Sequence, residues 1–176
     1  MNVHVLEANE QEKLAVKNLF TAYFLDLSGH DDNIHINEYG LPVFYVDGKP
    51  PGAEMVTTTE ECVTFNWWIR DDCITYIIRV EDLVAGFAFV CQDRRQISSG
   101  VDNELVDFYV APPFRNQGVG TAAARQIFRM HDGTWQVFQL PRNTGAIRFW
   151  HRIINNMTGG RFELLDNGTQ QRFRLD

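Results

Sequence analysis

Apolar side chains recur along this chain with two different periods, and each change of period marks an element. Val3 to Leu6 reads as a short strand. From about Glu10 to Leu27 the apolar groups Val16, Leu19, Phe20, Tyr23 and Leu27 fall at helical spacing, which places them in one stripe. Ser28-Gly29 ends that helix. Between residues 30 and 66 the pattern breaks up. Short β-rich pieces, Pro42 to Val46 and Val56 to Thr59, alternate with turn signals at Asp47-Gly48 and Pro50-Pro51-Gly52, in a segment suited to a substrate-specific insertion.

The second half is more regular. Ile74 to Val80 and Leu83 to Val90 form a strand pair joined near Glu81-Asp82, followed by a polar loop from Arg94 to Asn103. Glu104 to Val110 is a strand, Ala111 to Gln117 a loop opened by Pro112-Pro113, and Gly118 to Met130 a helix with Val119, Ala123, Ile127 and Met130 on one side. Trp135 to Leu140 is the next strand. Thr144 to about Asn156 is a helix with Ala146, Phe149, Trp150, Ile153 and Ile154 as its apolar face, stopped by Gly159-Gly160. Phe162 to Leu165 and Gln170 to Leu175 close the chain as a hairpin around Asn167-Gly168. Strands alternating with helices predict a mixed α/β sheet flanked by helices.

Composition narrows the class. A length of 176 residues with 44% hydrophobic and 22% charged residues suits one folded domain over residues 1–176. The formal net charge of −7 repels phosphate backbones and attracts cations, so the chain is expected to act on a cationic amine and not on nucleic acid. The longest apolar run, Leu83 to Cys91, is too short to span a bilayer, and no membrane partner is expected. Cys62, Cys73 and Cys91 lack metal-ligand spacing, which predicts a reducing cytoplasm and no disulfide framework or metal. Cys62 or Cys91 as a nucleophile has no histidine paired with it in the sequence. His30, Asp31, Asp32 and His35 read as a solvated turn, and Phe65, Trp67 and Trp68 read either as core or as rings lining a pocket for a cation.

Candidate chemistry concentrates between Glu104 and Met130, where a strand feeds a small-residue loop that opens a helix. The first turn of a helix carries unpaired N–H groups and a partial positive charge, so it can hold an anion. Gly118 and Gly120 are expected to keep side chains out of its way. No Gly-Lys-Ser/Thr string exists for Walker-type binding. GVGTAA, Gly118 to Ala123, does match a dinucleotide pattern. In that fold, however, the glycines follow the strand at once and an acidic residue stands about 20 positions on; here Phe138-Gln139-Leu140 offers no carboxylate.

RNQGVG, Arg115 to Gly120, resembles the Gln/Arg-x-x-Gly-x-Gly/Ala signature of the GNAT superfamily of N-acetyltransferases. PRNTGAIRFWHRI, Pro141 to Ile153, looks like its Asn-x-x-Ala-x-x-Phe segment. The resemblance covers Leu83 to Ile154. It implies a single GNAT-like domain, α/β of the α+β type, with a partly splayed mixed sheet, that moves an acetyl group from acetyl-CoA to a primary amine of a small molecule or peptide. A CoA-binding module without catalysis is the alternative, and a monomer or homodimer is expected. The resemblance places the pantetheine arm along Phe108, Tyr109 and Val110. It places the pyrophosphate on the loop Arg115, Asn116, Gln117, Gly118, Val119, Gly120 and Thr121. Asn143 would meet the pantetheine, although asparagine is also a good helix N-cap.

The resemblance also implies a catalytic base at Glu104, fourteen positions before Gly118, acting directly or through a water. Asp107 is its rival, and strand alternation predicts that the two face opposite sides of the sheet. Many relatives place an acidic tyrosine near the thioester sulfur, seven residues after the motif asparagine. Here that position is Trp150, whose indole N–H can donate a hydrogen bond but not surrender a proton. Tyr109 and His151 are the other candidate donors, His151 being turned by about 100° from Trp150 on its helix.

Overall fold

The computed structural model describes residues 1–45, 52–67, 70 and 72–175. The turn signal at Asp47-Gly48, the prolines at 50 and 51, Trp68 and Asp71 lie outside the described residues. Strand β1 (Val3–Glu7) leads to α1 (Glu10–Ser28), whose first turn is closed by a reciprocal capping box between Asn9 and Glu12. A small hairpin, β2 (Ile34–Ile36) with β3 (Pro42–Phe44), stands apart from the main sheet. Helix α2 (Thr59–Asn66) then precedes β4 (Ile74–Val80) and β5 (Leu83–Cys91). The motif strand β6 (Asn103–Val110) feeds α3 (Val119–Met130), and β7 (Thr134–Phe138) feeds α4 (Thr144–Thr158). The closing hairpin is β8 (Phe162–Leu165) and β9 (Gln170–Arg174).

Seven strands form one sheet in the order β1-β4-β5-β6-β7-β9-β8. Only β6 and β7 run parallel; every other neighbouring pair is antiparallel. Helices cover both faces. Under α3 and α4 lies a core of Ile78, Ala88, Val90, Leu105, Ile127, Trp135 and Ile153. Against α1 and α2 lie Val16, Phe20, Phe24, Trp67, Phe87 and Phe89. Full burial of each large side chain is worth about 1.5–3 kcal/mol. The predicted mixed sheet flanked by helices is therefore the observed fold. Among the described residues no helix is long and apolar enough to cross a membrane.

One predicted piece is corrected. Val56 to Thr59 is not a strand: Thr58 is an N-cap and Thr59 opens α2. The reason is local, because Thr58 and Glu61 form a capping box that satisfies the first N–H groups of the helix. A smaller difference concerns β7, which stops at Phe138 where its ladder with β9 ends.

Candidate active site

Strands β6 and β7 pair only from Asn103 opposite Trp135 to Leu105 opposite Val137. Beyond that point β6 continues along β5 to Val110, while β7 stays with β9. The strands part, and the edge of β6 from Asp107 to Val110 that faces β7 has no strand beside it among the described residues. A cleft of about 1460 Å³ opens there, between the ends of β6 and β7, the first turns of α3 and α4, and the inner side of α1.

At one end of the cleft the chain turns through Asn116 and Gly118, both at positive φ, into α3. Gly118 caps the helix with no side-chain hydrogen bond, and nothing lies within 4 Å of where its Cβ would stand. The helix therefore presents bare N–H groups to an open space, which suits a phosphate. Gly120 is small for a different reason. A Cβ there would come to 3.2 Å from the Phe149 ring, so this glycine also lets α4 pack on the first turn of α3. Val119 is wholly buried in the core, and Gln117 donates to the Pro113 carbonyl at 2.7 Å. Gly118, Gly120 and Thr121 line the cleft with Arg115 and Asn116; Gln117 and Val119 do not.

Arg115 folds back over the strand end. Its Nε donates to the Val110 carbonyl at 2.7 Å, its guanidinium lies 5.3 Å from the Tyr109 ring centre, and it pairs with Asp26 of α1. Phe108 and Val110 pack toward α4, whereas Tyr109 packs toward α1. Burial pushes the Tyr109 hydroxyl above its ordinary range, and Asp26 adds to the effect. Asn143 caps α4 by accepting from the Ala146 N–H at 3.0 Å, and it also lines the cleft.

Trp150 is 5% exposed. Its ring meets Phe108 edge-on at 5.0 Å and lies 4.9 Å from Phe149 and 5.8 Å from Phe128. It reaches the cleft, but among the described residues nothing accepts from its indole N–H. His151 is turned away, with its ring on Phe162 at 5.3 Å, and it does not line the cleft. That removes it as a donor to chemistry in the cleft.

The two carboxylates do not alternate across the sheet as predicted. Phe89 stands opposite Asp107, but Val90 stands opposite Leu105, so Val106 is the extra residue of a β-bulge. The bulge resets the alternation. Glu104 bonds to Gln136, whose neighbours Trp135 and Val137 point into the α3/α4 core, so Glu104 lies on the α1/α2 face. Asp107 lies on that face as well, bonded to Tyr23 of α1.

Their surroundings nevertheless differ. Asp107, 5% exposed, accepts from Arg70 Nε at 2.7 Å, from Arg70 Nη2 at 3.3 Å and from the Tyr23 hydroxyl at 2.5 Å. Arg70 is itself buried, lies over the Phe20 and Phe24 rings, and donates to the Asn66 carbonyl. Burial, then the Asp107 charge, pushes the Tyr23 hydroxyl well above its ordinary value. Glu104 is half-buried, accepts from Gln136 Nε2 at 3.1 Å and lies just outside the cleft wall. Burial raises its carboxyl above the ordinary glutamate value, against the opposing pull of the Gln136 and Ser98 hydrogen bonds.

The buried Arg70–Asp107–Tyr23 cluster was not anticipated. The available signal was Asp107 itself, a charge inside an apolar strand, which has to find a partner. Of the aromatic segment, Phe65 and Trp67 belong to the core: Trp67 packs edge-on against Phe20 at 5.0 Å and Phe89 at 5.1 Å, and neither residue lines the cleft. Residues 30 to 33 form a turn in which Asp31 accepts from the Asn33 N–H and Asp32 pairs with Arg142, whereas His35 belongs to β2 and stacks on Tyr45.

A model of the acetyltransferase (GNAT) family matches residues 23–154 of this chain. No curated protein matches it in sequence. Among solved structures it is similar to PH1933 from Pyrococcus horikoshii OT3, with a TM-score of 0.63 and 16% identity over 99% of each chain. It is also similar to the PaiA N-acetyltransferase from Thermoplasma acidophilum, solved with coenzyme A, with a TM-score of 0.59 and 12% identity over 99% of each chain. A third is YncA from Salmonella typhimurium, solved with acetyl-CoA, with a TM-score of 0.57 and 15% identity over 100% of this chain and 95% of that one. At these identities the likeness is one of fold.

Proposed function

Because this chain belongs to the acetyltransferase (GNAT) family and is thus an acetyl-CoA-dependent acyltransferase, we propose that it acetylates a primary amine by direct attack within a ternary complex. The observation that carries this reading is the unpaired edge of β6 running into the uncapped start of α3. An extended amide-bearing arm can add to such an edge as a strand would, and a pyrophosphate can sit on such a helix start. The open space at Gly118 fits that group. Phe108, Tyr109, Val110 and Asn143 would hold the pantetheine arm, Arg115 to Thr121 the phosphates, and Trp150 would pack beside the arm. Arg115 would turn aside from the Val110 carbonyl.

Acetyl-CoA supplies an activated thioester; the protein supplies order and a base. An ammonium acceptor must lose a proton before its nitrogen can attack the thioester. Glu104 is our choice for that proton. Its carboxylate accepts from the neutral Gln136 amide and is paired with no cation among the described residues, and its raised pKa brings it closer to working pH. Its place outside the cleft wall calls for a bridging water. Both oxygens of Asp107 are engaged by Arg70 and Tyr23, which leaves it a poor base. Trp150 cannot protonate the departing sulfur; of the other candidate donors Tyr109 lines the cleft, and without it CoA leaves as the thiolate while the new amide nitrogen gives its second proton to water.

The acceptor is a small molecule or peptide bearing a primary amine; the cleft lining sets Asp26, Asp31 and Asp107 against Arg70, Arg115, Arg148 and Arg152, so the expectation of a cationic acceptor rests on the net charge of −7 of the whole chain. Thiol release from acetyl-CoA with a panel of polyamines, amino acids and lysine peptides tests the reading. Turnover with a cationic amine is expected; none with any amine, despite tight acetyl-CoA binding, would leave a binding module.

A further inference from the structure

Glu104 belongs to a row of side chains that crosses four neighbouring strands. Glu104 of β6 stands opposite Gln136 of β7, Gln136 opposite Arg172 of β9, and Arg172 opposite Glu163 of β8. The row is joined by hydrogen bonds. Arg172 Nη2 donates to Gln136 Oε1 at 2.9 Å, and Gln136 Nε2 donates to Glu104 Oε2 at 3.1 Å. The second Nε2 hydrogen is taken by Ser98 Oγ at 2.9 Å.

This pattern removes the usual ambiguity of an amide. A guanidinium can only donate, so the Gln136 oxygen must face Arg172 and the NH2 must face Glu104. Reversing the amide would bring two donors together on one side and two acceptors together on the other. Gln136 is 3% exposed, so no solvent competes for either end. Arg172 Nε is buried with no partner among the described residues, a standing cost that a purely structural pairing of β7 with β9 would not require.

We propose that Gln136 and Arg172 are positioning residues for Glu104, with Arg172 orienting the Gln136 amide and the amide aiming the carboxylate. This rests on the reading of Glu104 as the base. The charged groups of the row are Arg172 and, beyond it, the exposed Glu163. From β5 Cys91 stands opposite Glu104, and from the preceding loop the Ser98 backbone amide also favours the ionised carboxylate. A hydrogen bond donated to a carboxylate stabilises its charged form. Losing the relay therefore drives the Glu104 titration further up and leaves less base at neutral pH.

The test is a double-mutant cycle on that titration, read by carboxyl-carbon NMR of the full chain with labelled glutamate. The Glu104 signal is the one missing from Glu104→Gln. Arg172→Met is expected to raise the midpoint although Arg172 touches no atom of Glu104. Gln136→Leu is expected to raise it at least as far, and the double variant no further than Gln136→Leu alone, because the guanidinium acts through the amide. Shifts that add would mean a plain through-space charge effect and overturn the relay, as would an unmoved midpoint in Arg172→Met. Gln136→Met completes the same cycle should the leucine variant not fold. Turnover of Glu104→Gln is measured separately. Full activity there removes the base and with it the catalytic purpose of the relay, whereas lost activity with an unmoved Arg172→Met midpoint removes the relay alone.

Discussion

The two walls of the cleft are made of different material. On the side of β6, α3 and α4, backbone groups stand open between the side chains: an unpaired strand edge, a glycine at φ 84 and the uncapped start of a helix. Opposite, α1 and the β2–β3 hairpin contribute side chains, among them Phe24, Leu27, Ile34 and Phe44, with the buried Arg70–Asp107 pair at the base. Backbone groups are the same in every sequence that folds this way, so the first wall suits a constant ligand. Side chains are free to vary, so on the proposed function the second wall would set the choice of acceptor. Arg115 and Arg142 tie the walls together through Asp26 and Asp32.

The largest effect should come from the backbone wall. A Cβ at Gly86 would stand 2.0 Å from the Tyr109 carbonyl oxygen, a backbone atom that cannot swing away. Gly86→Ala must therefore separate β5 from β6 where the cleft begins, and we expect a loss of about 3 kcal/mol or more in urea unfolding. Gly118→Ala makes a useful contrast. It meets no atom within 4 Å and only strains φ, so it should cost about 1–2 kcal/mol and weaken acetyl-CoA binding more than stability. Equal destabilisation by the two would show that the wall does not depend on that close approach.

Next in size is the side-chain wall. Asp107→Ala leaves the Arg70 guanidinium buried without its counter-charge, and about 3–5 kcal/mol of stability should go with it. A variant of unchanged stability would mean that water reaches Arg70. Glu104→Gln should behave in the opposite way, with turnover down by about 10² or more and the fold intact. Its folded pKa is raised, so the native state is penalised above that pKa and relieved as pH falls through it. Neutralising it should leave stability at neutral pH equal or slightly higher. The kcat/KM of the natural chain should fall on acidification through a pKa above that of ordinary glutamate. An acid limb that survives unchanged in Glu104→Gln would move the base elsewhere.

The smallest effect on chemistry belongs to Trp150. Its indole N–H has no acceptor among the described residues, and its ring is held by Phe108, Phe128 and Phe149. Trp150→Phe should stay within about tenfold of the natural rate, far less than loss of an oxyanion-type donor. The cavity left behind should still lower stability measurably. A folded Trp150→Phe chain that has lost most of its turnover would show that the N–H serves the sulfur after all.

Much of this was legible in the chain itself. Periodicity located α1, α3, α4 and the strands between them, because one-sided burial imposes a period of 3.6 or 2. RNQGVG marked the loop, because positive φ at Gly118 and close packing at Gly120 both demand small residues. Helix α2 was equally written, in Thr58 and Glu61, but its pattern is short and is masked by the β-branched run before it.

What the sequence determined by itself was the identity of most elements and the glycine turn that opens α3, since these follow from neighbours a few residues apart. The surroundings of Glu104 and Asp107 were decided only in three dimensions. One extra residue at Val106 turns both carboxylates to the same face. Contacts from 37 and 84 residues away, Arg70 and Tyr23, then saturate one of them, while Gln136, 32 residues away, leaves the other partly available. A bulge depends on how two strands settle their register, and a buried charge on which partner the fold delivers. Neither is encoded in local spacing.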